Sequence, residues 1–307
     1  MDKKILISIV GPTGIGKTAL AIKIAQHFKA EIISADSRQF YKEMSIGTAV
    51  PSKVELKEVP HHFIQHRSVL EAYSVGNFER DALRLLDTLF KKTNIVVMVG
   101  GSGLYIDAVT KGLDEFPNID PQIRDTLNKA LKEKGIESLQ DQLKHLDEAY
   151  YTKIDLENPH RLIRALEICI GTGRPYSSFL GVKQKSRPFK VITLGITADR
   201  DIIYQRINQR VDRMIAQGLV EEARSLEHHK TLNALQTVGY KELFNFFDGK
   251  WSLDFAISEI KKNTRRFAKR QLTWFKNNKH TIWIDFDMEM NTIIPKIEHQ
   301  LIEQSNG

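Results

Sequence analysis

Eight residues near the start of the chain have the composition and spacing of a phosphate-binding loop. They match G-x-x-x-x-G-K-[ST] at every fixed position and are Gly11, Pro12, Thr13, Gly14, Ile15, Gly16, Lys17 and Thr18. The glycines let backbone N–H groups turn towards a phosphate, and the helix start that follows adds partial positive charge. Lys17 would reach the outer phosphate, and the Thr18 hydroxyl would bind Mg²⁺. This P-loop predicts a ligand that carries two or three phosphates, such as a nucleotide.

The acidic residue that P-loop hydrolases and kinases place after a hydrophobic strand is missing from its expected position. The apolar run Ile95–Val99 leads into Gly-Gly-Ser-Gly-Leu-Tyr at residues 100–105, which has no carboxylate. Asp285 and Asp287 follow another apolar run, but we expect that strand to lie at a sheet edge and its acids to face solvent. The sequence therefore disfavours a motor-type ATPase.

A different carboxylate, Asp36, is well placed for chemistry. It follows the second predicted strand, on the side where open α/β sheets bind ligands. Beside a phosphate site, a carboxylate can hold a metal ion or accept a proton from a nucleophile. The alternative is that Asp36 only caps a turn.

Strands that alternate with helices would position these residues. Ile5–Val10 is an apolar run that ends at the P-loop, and helical spacing follows from Lys17 to Phe28. Further strands are predicted at residues 31–34, 95–99, 190–196 and 281–285. Further helices are predicted at residues 78–90, 201–226 and 253–277. This alternation predicts an α/β fold of the P-loop NTPase-like kind, with a parallel sheet flanked by helices.

The pattern changes in the middle of the chain. A cluster of helix-breaking residues at 116–121 precedes helical spacing over residues 122–170, and residues 171–188 look like a loop. We therefore predict a P-loop α/β core formed by residues 1–114 and 188–307. Residues 115–187 would form a helical insert.

The composition of the 307 residues excludes several classes of protein. With 41% hydrophobic and 27% charged residues, the chain is neither disordered nor of low complexity. Cys169 is the only cysteine, which excludes an intrachain disulfide and a multi-cysteine metal site. No apolar run approaches the roughly 20 residues of a membrane helix. We expect a cytoplasmic protein that does not bind membranes.

The charge balance points to a polyanionic partner. The net charge is +7, and residues 261–279 contain eight basic residues and no acidic one. A helix so one-sided in charge could follow a nucleic-acid backbone, and the alternative is an ordinary solvated face. We expect the interleaved aromatic residues Phe267, Trp274 and Phe275 to belong to the core.

Three arginines share one face of the predicted helix over residues 201–226. Arg206, Arg210 and Arg213 are spaced i, i+4 and i+7. A guanidinium can grip phosphate oxygens through two hydrogen bonds, so this row could face the phosphates. The alternative is a solvated row that pairs with nearby acids.

Eight motifs occur in an order that resembles one family, the tRNA dimethylallyltransferases. They are GPTGIGKTAL, ADSRQFYKEMSIGTAVP, PHHFI, YSVGNFERDA, VGGSGLY, HRLIRALEI, TVGYKEL and RRFAKRQLTWFK. The resemblance extends from about residue 5 to residue 276. Eukaryotic members carry a C-terminal zinc finger, for which this chain lacks the cysteines, so the resemblance is to the bacterial form.

The resemblance implies a reaction and roles for particular residues. The family transfers a dimethylallyl group from dimethylallyl diphosphate to N6 of adenosine 37, in tRNAs that read codons beginning with U. Mg²⁺ is the implied cofactor, and the P-loop would hold the leaving diphosphate. Asp36 would accept an N6 proton. Ser102, where the family usually has threonine, would bind diphosphate or substrate, and Arg210 would clamp the diphosphate, with Arg206 as the alternative.

The resemblance also implies a tRNA surface on both domains. Asp36 and Ser102 would contact the target adenosine, which must flip out of the anticodon loop. The other predicted contacts are Ser37, Arg38, Gln39, Arg124, His160, Arg161, Leu162, Ile163, Arg164, Gln236, Thr237, Val238, Gly239, Tyr240, Lys241, Arg266, Lys269 and Arg270. We expect a monomer whose insert contacts the anticodon stem-loop and moves on binding.

Four other interpretations fit parts of the sequence. A P-loop nucleoside or small-molecule kinase would use ATP, and an adenylate isopentenyltransferase would prenylate a free nucleotide. The basic segment and the large insert favour tRNA over both. A non-enzymatic RNA-binding protein would not need a complete P-loop together with Asp36. His61, His62 and His66 are close enough for zinc, but they belong to the PHH motif of the family and have no cysteine nearby.

Overall fold

The structure is a computed structural model that describes residues 3–181 and 186–306. The chain folds into two compact units. Met1–Thr110 and Arg187–Gly307 form the core unit, and Lys111–Ser186 forms the insert unit. Part of the predicted 171–188 loop, residues 182–185, lies outside the described residues.

The core unit is built on a parallel sheet of six strands. They are β1 (Ile5–Val10), β2 (Ile32–Ser34), β3 (His61–His62), β4 (Ile95–Val99), β5 (Lys190–Thr197) and β6 (Ile282–Asp285). The strand order is β3-β2-β4-β1-β5-β6, with every neighbouring pair parallel. The predicted α/β fold is confirmed, and β6 is the edge strand that the sequence suggested.

Helices connect the strands and form the insert. They are α1 (Lys17–Phe28), α2 (Lys53–Glu58), α3 (Val75–Leu89), α4 (Gly103–Thr110), α5 (Pro121–Lys134), α6 (Glu137–Leu146), α7 (Glu148–Tyr151), α8 (Pro159–Thr172), α9 (Arg200–Ala216), α10 (Leu219–Ser225), α11 (Tyr240–Phe247), α12 (Leu253–Lys276) and α13 (Met290–Asn306). Within the described ranges, no helix is long and apolar enough to cross a membrane.

One detail of the sequence prediction is wrong. The single helix expected over residues 201–226 is two helices, because Gly218 adopts a left-handed conformation at φ 99° between α9 and α10. His61 and His62 form the edge strand β3, where the His62 Nε2 atom lies 2.6 Å from the Glu31 carboxylate. The described residues include no group of three or more His, Cys, Asp or Glu that could hold a metal ion.

Strand β1 is buried on both faces of the sheet, and this explains why its sequence is apolar at every position except Ser8. Ile5, Ile7 and Ile9 point into one hydrophobic cluster, whereas Leu6 and Val10 point into the other. Successive side chains of a strand face opposite sides of a sheet, so a strand covered on both sides needs apolar residues at consecutive positions. This burial fixes the position of the P-loop that follows.

The insert unit has its own small core. Leu139, Leu143, Leu162 and Leu166 are fully buried where α5, α6 and α8 pack together. Cys169 on α8 is buried, as predicted, and its Sγ atom accepts a hydrogen bond from the Tyr176 N–H at 3.2 Å.

Candidate active site

The P-loop joins β1 to α1 in a conformation that requires glycine at two of its positions. Gly11 has φ 146°, and a Cβ atom there would lie 2.7 Å from the Ile196 carbonyl oxygen of β5. Gly16 has φ 112° and is the N-cap of α1. The glycines thus let the loop turn tightly against the sheet and expose backbone N–H groups at a helix N-terminus.

A cavity of about 530 Å³ opens over this loop, and we call it the P-loop cavity. Its lining includes Thr13, Gly14, Gly16, Lys17, Thr18, Asp36, Arg206, Arg210 and Arg213. The structure therefore brings all three arginines of the predicted row to the P-loop. Arg206 also donates from Nε to the Gly14 carbonyl oxygen at 3.0 Å, which ties α9 to the loop. The P-loop residues Gly11, Pro12 and Ile15 are buried.

The charges of this cavity are arranged to attract an anion. Burial lowers the pKa of Lys17 to about 8, an effect that Asp36 opposes and Arg210 increases. Burial also lowers the pKa of Arg210, again against the attraction of Asp36. Lys17 donates from Nζ to the Pro12 carbonyl oxygen at 2.8 Å. Four lining cations, Lys17, Arg206, Arg210 and Arg213, outnumber the two lining carboxylates, Asp36 and Glu55, so a bound anion would supply the missing negative charge.

Asp36 and Ser102 follow the carboxyl ends of the adjacent strands β2 and β4. A Cβ atom on Gly100 would lie 2.4 Å from the Ala35 carbonyl oxygen, so glycine lets the two strand ends approach. The Ser102 Oγ atom accepts the Ser37 N–H at 3.0 Å and donates to the Ser37 Oγ atom at 3.1 Å. The Asp36 Oδ1 atom accepts the Arg38 N–H at 3.1 Å, so Asp36 does cap its turn. Its carboxylate nevertheless lines the cavity.

A second, larger cavity of about 840 Å³ lies along helix α12, and we call it the α12 cavity. Its lining includes Asp36, Ser37, Arg38, Ser102, Gln236, Thr237, Val238, Lys241, Phe267, Arg270 and Trp274. Arg38 donates from Nη1 to the Asn233 and Ala234 carbonyl oxygens, at 2.8 and 3.0 Å, and so holds the segment that precedes Gln236. Asp36 lines both this cavity and the P-loop cavity.

A third, smaller cavity of about 110 Å³ shares Asp36 with both of these cavities, and its lining is mainly apolar. Its polar lining residues are Thr13, Asp36, Arg38, Thr48, Arg210, Thr237 and Thr264. The apolar lining residues are Val211, Met214, Leu219, Val238, Ile260 and Phe267, and Gly239 also borders it. A short hydrocarbon chain attached to a phosphate in the P-loop cavity would find an apolar environment here.

The exposure of the aromatic residues on α12 differs from the sequence prediction. Phe275 is buried, as expected, but Phe267 and Trp274 are 38% and 40% exposed and line the α12 cavity. Helical spacing from Phe267 through Arg270 to Trp274 places all three on one face. Arg266 and Lys269 are exposed on the same helix.

Four of the predicted tRNA contacts have buried side chains. Gln39 donates from Nε2 to the carbonyl oxygens of Thr48 and Ala49, at 3.2 and 3.0 Å. The fully buried Tyr240 donates its hydroxyl to Glu222 at 2.6 Å. Leu162 and Ile163, the other two, belong to the core of the insert unit. In this structure these four side chains support the fold rather than face solvent.

The insert unit presents the other predicted contacts on its surface. His160 and Arg161 are exposed at the start of α8. The Glu167 carboxylate, 8% exposed, accepts from Arg124 Nη2 at 2.7 Å and from Arg164 Nη1 at 2.9 Å. The side chains of Arg124 and Arg164 remain 46% and 40% exposed. One buried acid therefore orients two half-exposed cations.

The P-loop cavity could hold a divalent cation together with an anion. The Thr18 hydroxyl and the Asp36 carboxylate both line it, and both are hard oxygen donors. Mg²⁺ needs few protein ligands, because it keeps several waters and takes further oxygens from bound phosphates, so Thr18 suffices if Asp36 serves another role.

Two residues of this site were not identified as functional from the sequence. Gln271 of α12 reaches the P-loop, where its Oε1 atom accepts the Thr13 N–H at 2.8 Å. Glu222 of α10 accepts the N–H groups of Ser45, Ile46 and Gly47 at 2.8 to 2.9 Å and so holds the turn at residues 45–47. The position of Gln271 within RRFAKRQLTWFK was the only available signal.

Comparison with known protein sequences gives a consistent result. A model of the IPP transferase family matches residues 39–278. The tRNA dimethylallyltransferase of Christiangramia forsetii is 62% identical over 296 residues, which cover 96% of this chain and 98% of that protein. The tRNA dimethylallyltransferase of Flavobacterium johnsoniae is 57% identical over 306 residues, which cover 98% of each chain.

Solved structures agree with the sequence comparison. The tRNA isopentenylpyrophosphate transferase of Bacillus halodurans matches with a TM-score of 0.74 at 35% identity, over 100% of this chain and 99% of that one. A eukaryotic dimethylallyltransferase solved while acting on tRNA matches with a TM-score of 0.79 at 25% identity, over 98% of this chain and 80% of that one.

Proposed function

Since this chain belongs to the IPP transferase family, we propose that it transfers a dimethylallyl group from dimethylallyl diphosphate to N6 of adenosine 37 of tRNA. The acceptors would be tRNAs that read codons beginning with U. One observation carries the proposal: Asp36 lines both the P-loop cavity and the α12 cavity. A single carboxylate can therefore reach a diphosphate on one side and a nucleobase on the other.

The donor would occupy the two cavities beside the P-loop. Its diphosphate would accept hydrogen bonds from the loop backbone, Lys17 and Arg210, with Arg206 close by. Its dimethylallyl group would enter the small apolar cavity, which also borders Arg210 and Asp36. Negative charge grows on the diphosphate as the C–O bond breaks, so fixed cations stabilise the transition state more than the bound donor.

Mg²⁺ would bind to the diphosphate beside Thr18. When bound, it supplies a further positive charge that neutralises the leaving diphosphate. The chain itself contributes the Thr18 hydroxyl as a ligand, from the first turn of α1.

The acceptor adenine would enter the α12 cavity. Its exocyclic amine is a weak nucleophile, because its lone pair is delocalised into the ring. As the new N6–C bond forms and the C–O bond breaks, Asp36 would accept the N6 proton. The hydrogen bonds between Ser102 and Ser37 would hold the residue next to Asp36 in place.

The tRNA would contact both units. In the core unit, the exposed basic residues of α12 and Lys241 would bind its backbone. In the insert unit, Arg124, Arg161 and Arg164 would do the same. A monomer that acts on tRNA in the cytoplasm is the form we propose.

The direct test is mass spectrometry of nucleosides from unmodified tRNA with adenosines at positions 36 and 37. The tRNA is incubated with the protein, Mg²⁺ and dimethylallyl diphosphate. We expect N6-isopentenyladenosine, and at least a 100-fold slower transfer for Asp36→Asn, because a general base typically contributes that much. Asp285→Asn, an exposed acid on the edge strand, is the control and should transfer at the normal rate. Prenylation of free AMP, or phosphate transfer from ATP, without modified tRNA would refute the proposal.

A further inference from the structure

One buried side chain connects the P-loop to the turn that carries Ser102. Gln271 of α12 is 5% exposed. Its Oε1 atom accepts the Thr13 N–H at 2.8 Å, and its Nε2 atom donates to the Gly101 carbonyl oxygen at 2.9 Å. The opposite amide orientation would place donor against donor and acceptor against acceptor, so these two partners fix it.

We propose that Gln271 is a positioning residue for prenyl transfer, which holds the P-loop and the Ser102 turn at a fixed separation. In this role it also keeps the Thr13 N–H engaged, so a bound diphosphate takes its hydrogen bonds from the rest of the loop. The inference rests on the proposed function, because the two elements that Gln271 joins are those assigned to the donor and the acceptor.

The glycines around Ser102 support this role. A Cβ atom on Gly101 would lie 2.2 Å from the Gln271 Nε2 atom, and one on Gly103 would lie 2.4 Å from the Trp274 ring. Gln271 and Trp274 are three residues apart on α12, so they project from one face of the helix. Ser102 therefore lies between two glycines, each of which leaves room for a side chain of the same helix.

A second anchor keeps this arrangement rigid. The Trp274 Nε1 atom donates to the Asp107 Oδ2 atom of α4 at 3.0 Å. With the two bonds of Gln271, helix α12 is thus hydrogen-bonded to the P-loop, to the turn after β4 and to the helix that follows Ser102. A buried glutamine with both ends paired is typical of a side chain that specifies one geometry.

The first measurement compares transfer rates of Gln271→Met with those of the normal protein, at saturating tRNA and dimethylallyl diphosphate. Methionine keeps the approximate volume but supplies neither hydrogen bond. We expect transfer to slow by about 100-fold, as for a misplacement of about 1 Å in an active site. The dissociation constant of tRNA should change by less than about twofold, because the basic residues of α12 are untouched. Thr273→Ala, exposed on the same helix, is the control and should behave normally.

The second measurement needs no tRNA and reports on Thr13 alone. Amide hydrogen exchange at Thr13 should be slow in the free protein, unchanged by inorganic diphosphate and faster in Gln271→Met. Gln271→Glu keeps the acceptor for Thr13, and its ionised form lacks the donor to Gly101. At a pH where this carboxyl is ionised, exchange should therefore stay slow while transfer is slowed. Protection of Thr13 that appears only when diphosphate is added would overturn the proposal, as would a normal transfer rate in Gln271→Met.

The two measurements separate this inference from the proposed function. If the normal protein transfers no prenyl group, the proposed function fails. If the normal protein is active and Gln271→Met is equally active, only the role of Gln271 fails.

Discussion

The P-loop cavity and the arginine pair of the insert unit both gather positive charge, but they hold it in different ways. In the P-loop cavity, the cations are buried enough that the pKa values of Lys17 and Arg210 are lowered. In the insert unit, Arg124 and Arg164 stay half exposed and share Glu167, whose hydrogen bonds raise the pKa of Arg124. The first arrangement leaves positive charge uncompensated, and the second has already neutralised part of it.

This difference suggests two separate tasks. Uncompensated charge in a confined cavity interacts strongly with an anion that enters it, which suits a site where charge develops during a reaction. Partly neutralised guanidinium groups at a surface interact weakly with any one phosphate, but the shared acid holds them in a fixed orientation. This arrangement suits the recognition of a nucleic-acid backbone. Changes in the first region should therefore act on the transfer step, and changes in the second on tRNA affinity.

The largest effect is expected for Lys17→Met. Loss of a fixed cation beside the leaving diphosphate should slow prenyl transfer by about 1,000-fold, the upper range for removing one such group. The dissociation constant of tRNA should stay within about twofold. Single-turnover transfer and filter binding measure the two quantities, and Lys23→Met, exposed on α1, is the control. A comparable loss of tRNA affinity would show that the two tasks are not separate.

A smaller effect is expected for Glu167→Gln in the insert unit. Burial raises the pKa of Glu167, but hydrogen bonds from Arg124 and Arg164 outweigh this and lower it, so the acid is ionised at neutral pH. A neutral amide would orient the two guanidinium groups less well. The tRNA dissociation constant should rise about tenfold, the worth of one charge-assisted hydrogen bond, with the rate at saturating tRNA unchanged.

A fall in the tRNA dissociation constant of Glu167→Gln would also be informative. If the pair acts only as diffuse positive charge, removal of the acid should strengthen tRNA binding, which would contradict an orienting role for Glu167. Glu133→Gln is the control, because Glu133 is exposed and pairs with Lys129 at a distance of 3.9 Å.

The parts of the site that the sequence predicted are those formed by residues close together in the chain. The P-loop, Asp36 at a strand end and the row containing Arg206, Arg210 and Arg213 each follow from a local pattern. The apolar run of β1 likewise predicted a buried strand, because a strand covered on both faces needs no polar positions. Local spacing fixes local geometry, so these features could be recognised without the fold.

The parts that were missed depend on partners far along the chain. Gln271 is separated by 258 residues from Thr13 and by 170 from Gly101, so no spacing rule connects them. The exposure of Trp274 beside the buried Phe275 depends on how α12 is rotated against its neighbours. Tyr240 lay within a matched motif, yet its side chain belongs to the core. A motif identifies positions that matter, and the fold decides which of them reach solvent.

The pH dependence of diphosphate binding tests the uncompensated charge directly. Lys17 has a pKa of about 8 in the free protein, so it loses its charge above that pH. A bound anion favours the charged form of Lys17, so binding above pH 8 is accompanied by uptake of a proton. The affinity for the anion therefore falls as the pH rises. Between pH 7 and pH 9 the affinity for dimethylallyl diphosphate should fall about tenfold, from the change in charged fraction. Calorimetry in buffers of different ionisation enthalpy would detect the proton taken up on binding. Lys17→Met should abolish both this proton uptake and the fall in affinity between pH 7 and pH 9.

The smallest effect concerns salt and the exposed pair. Arg164→Ala should lower the dependence of tRNA affinity on salt concentration, with the slope of log affinity against log salt reduced by about one. Its affinity loss should be only severalfold at physiological salt, since Arg124 keeps its two bonds to Glu167. Lys17→Met should leave the slope unchanged, because a charge buried in the P-loop cavity releases no counterions from the tRNA backbone. Equal slopes for Arg164→Ala and the normal protein would mean that this arginine meets no phosphate, and that Glu167 holds it for the stability of the insert unit alone.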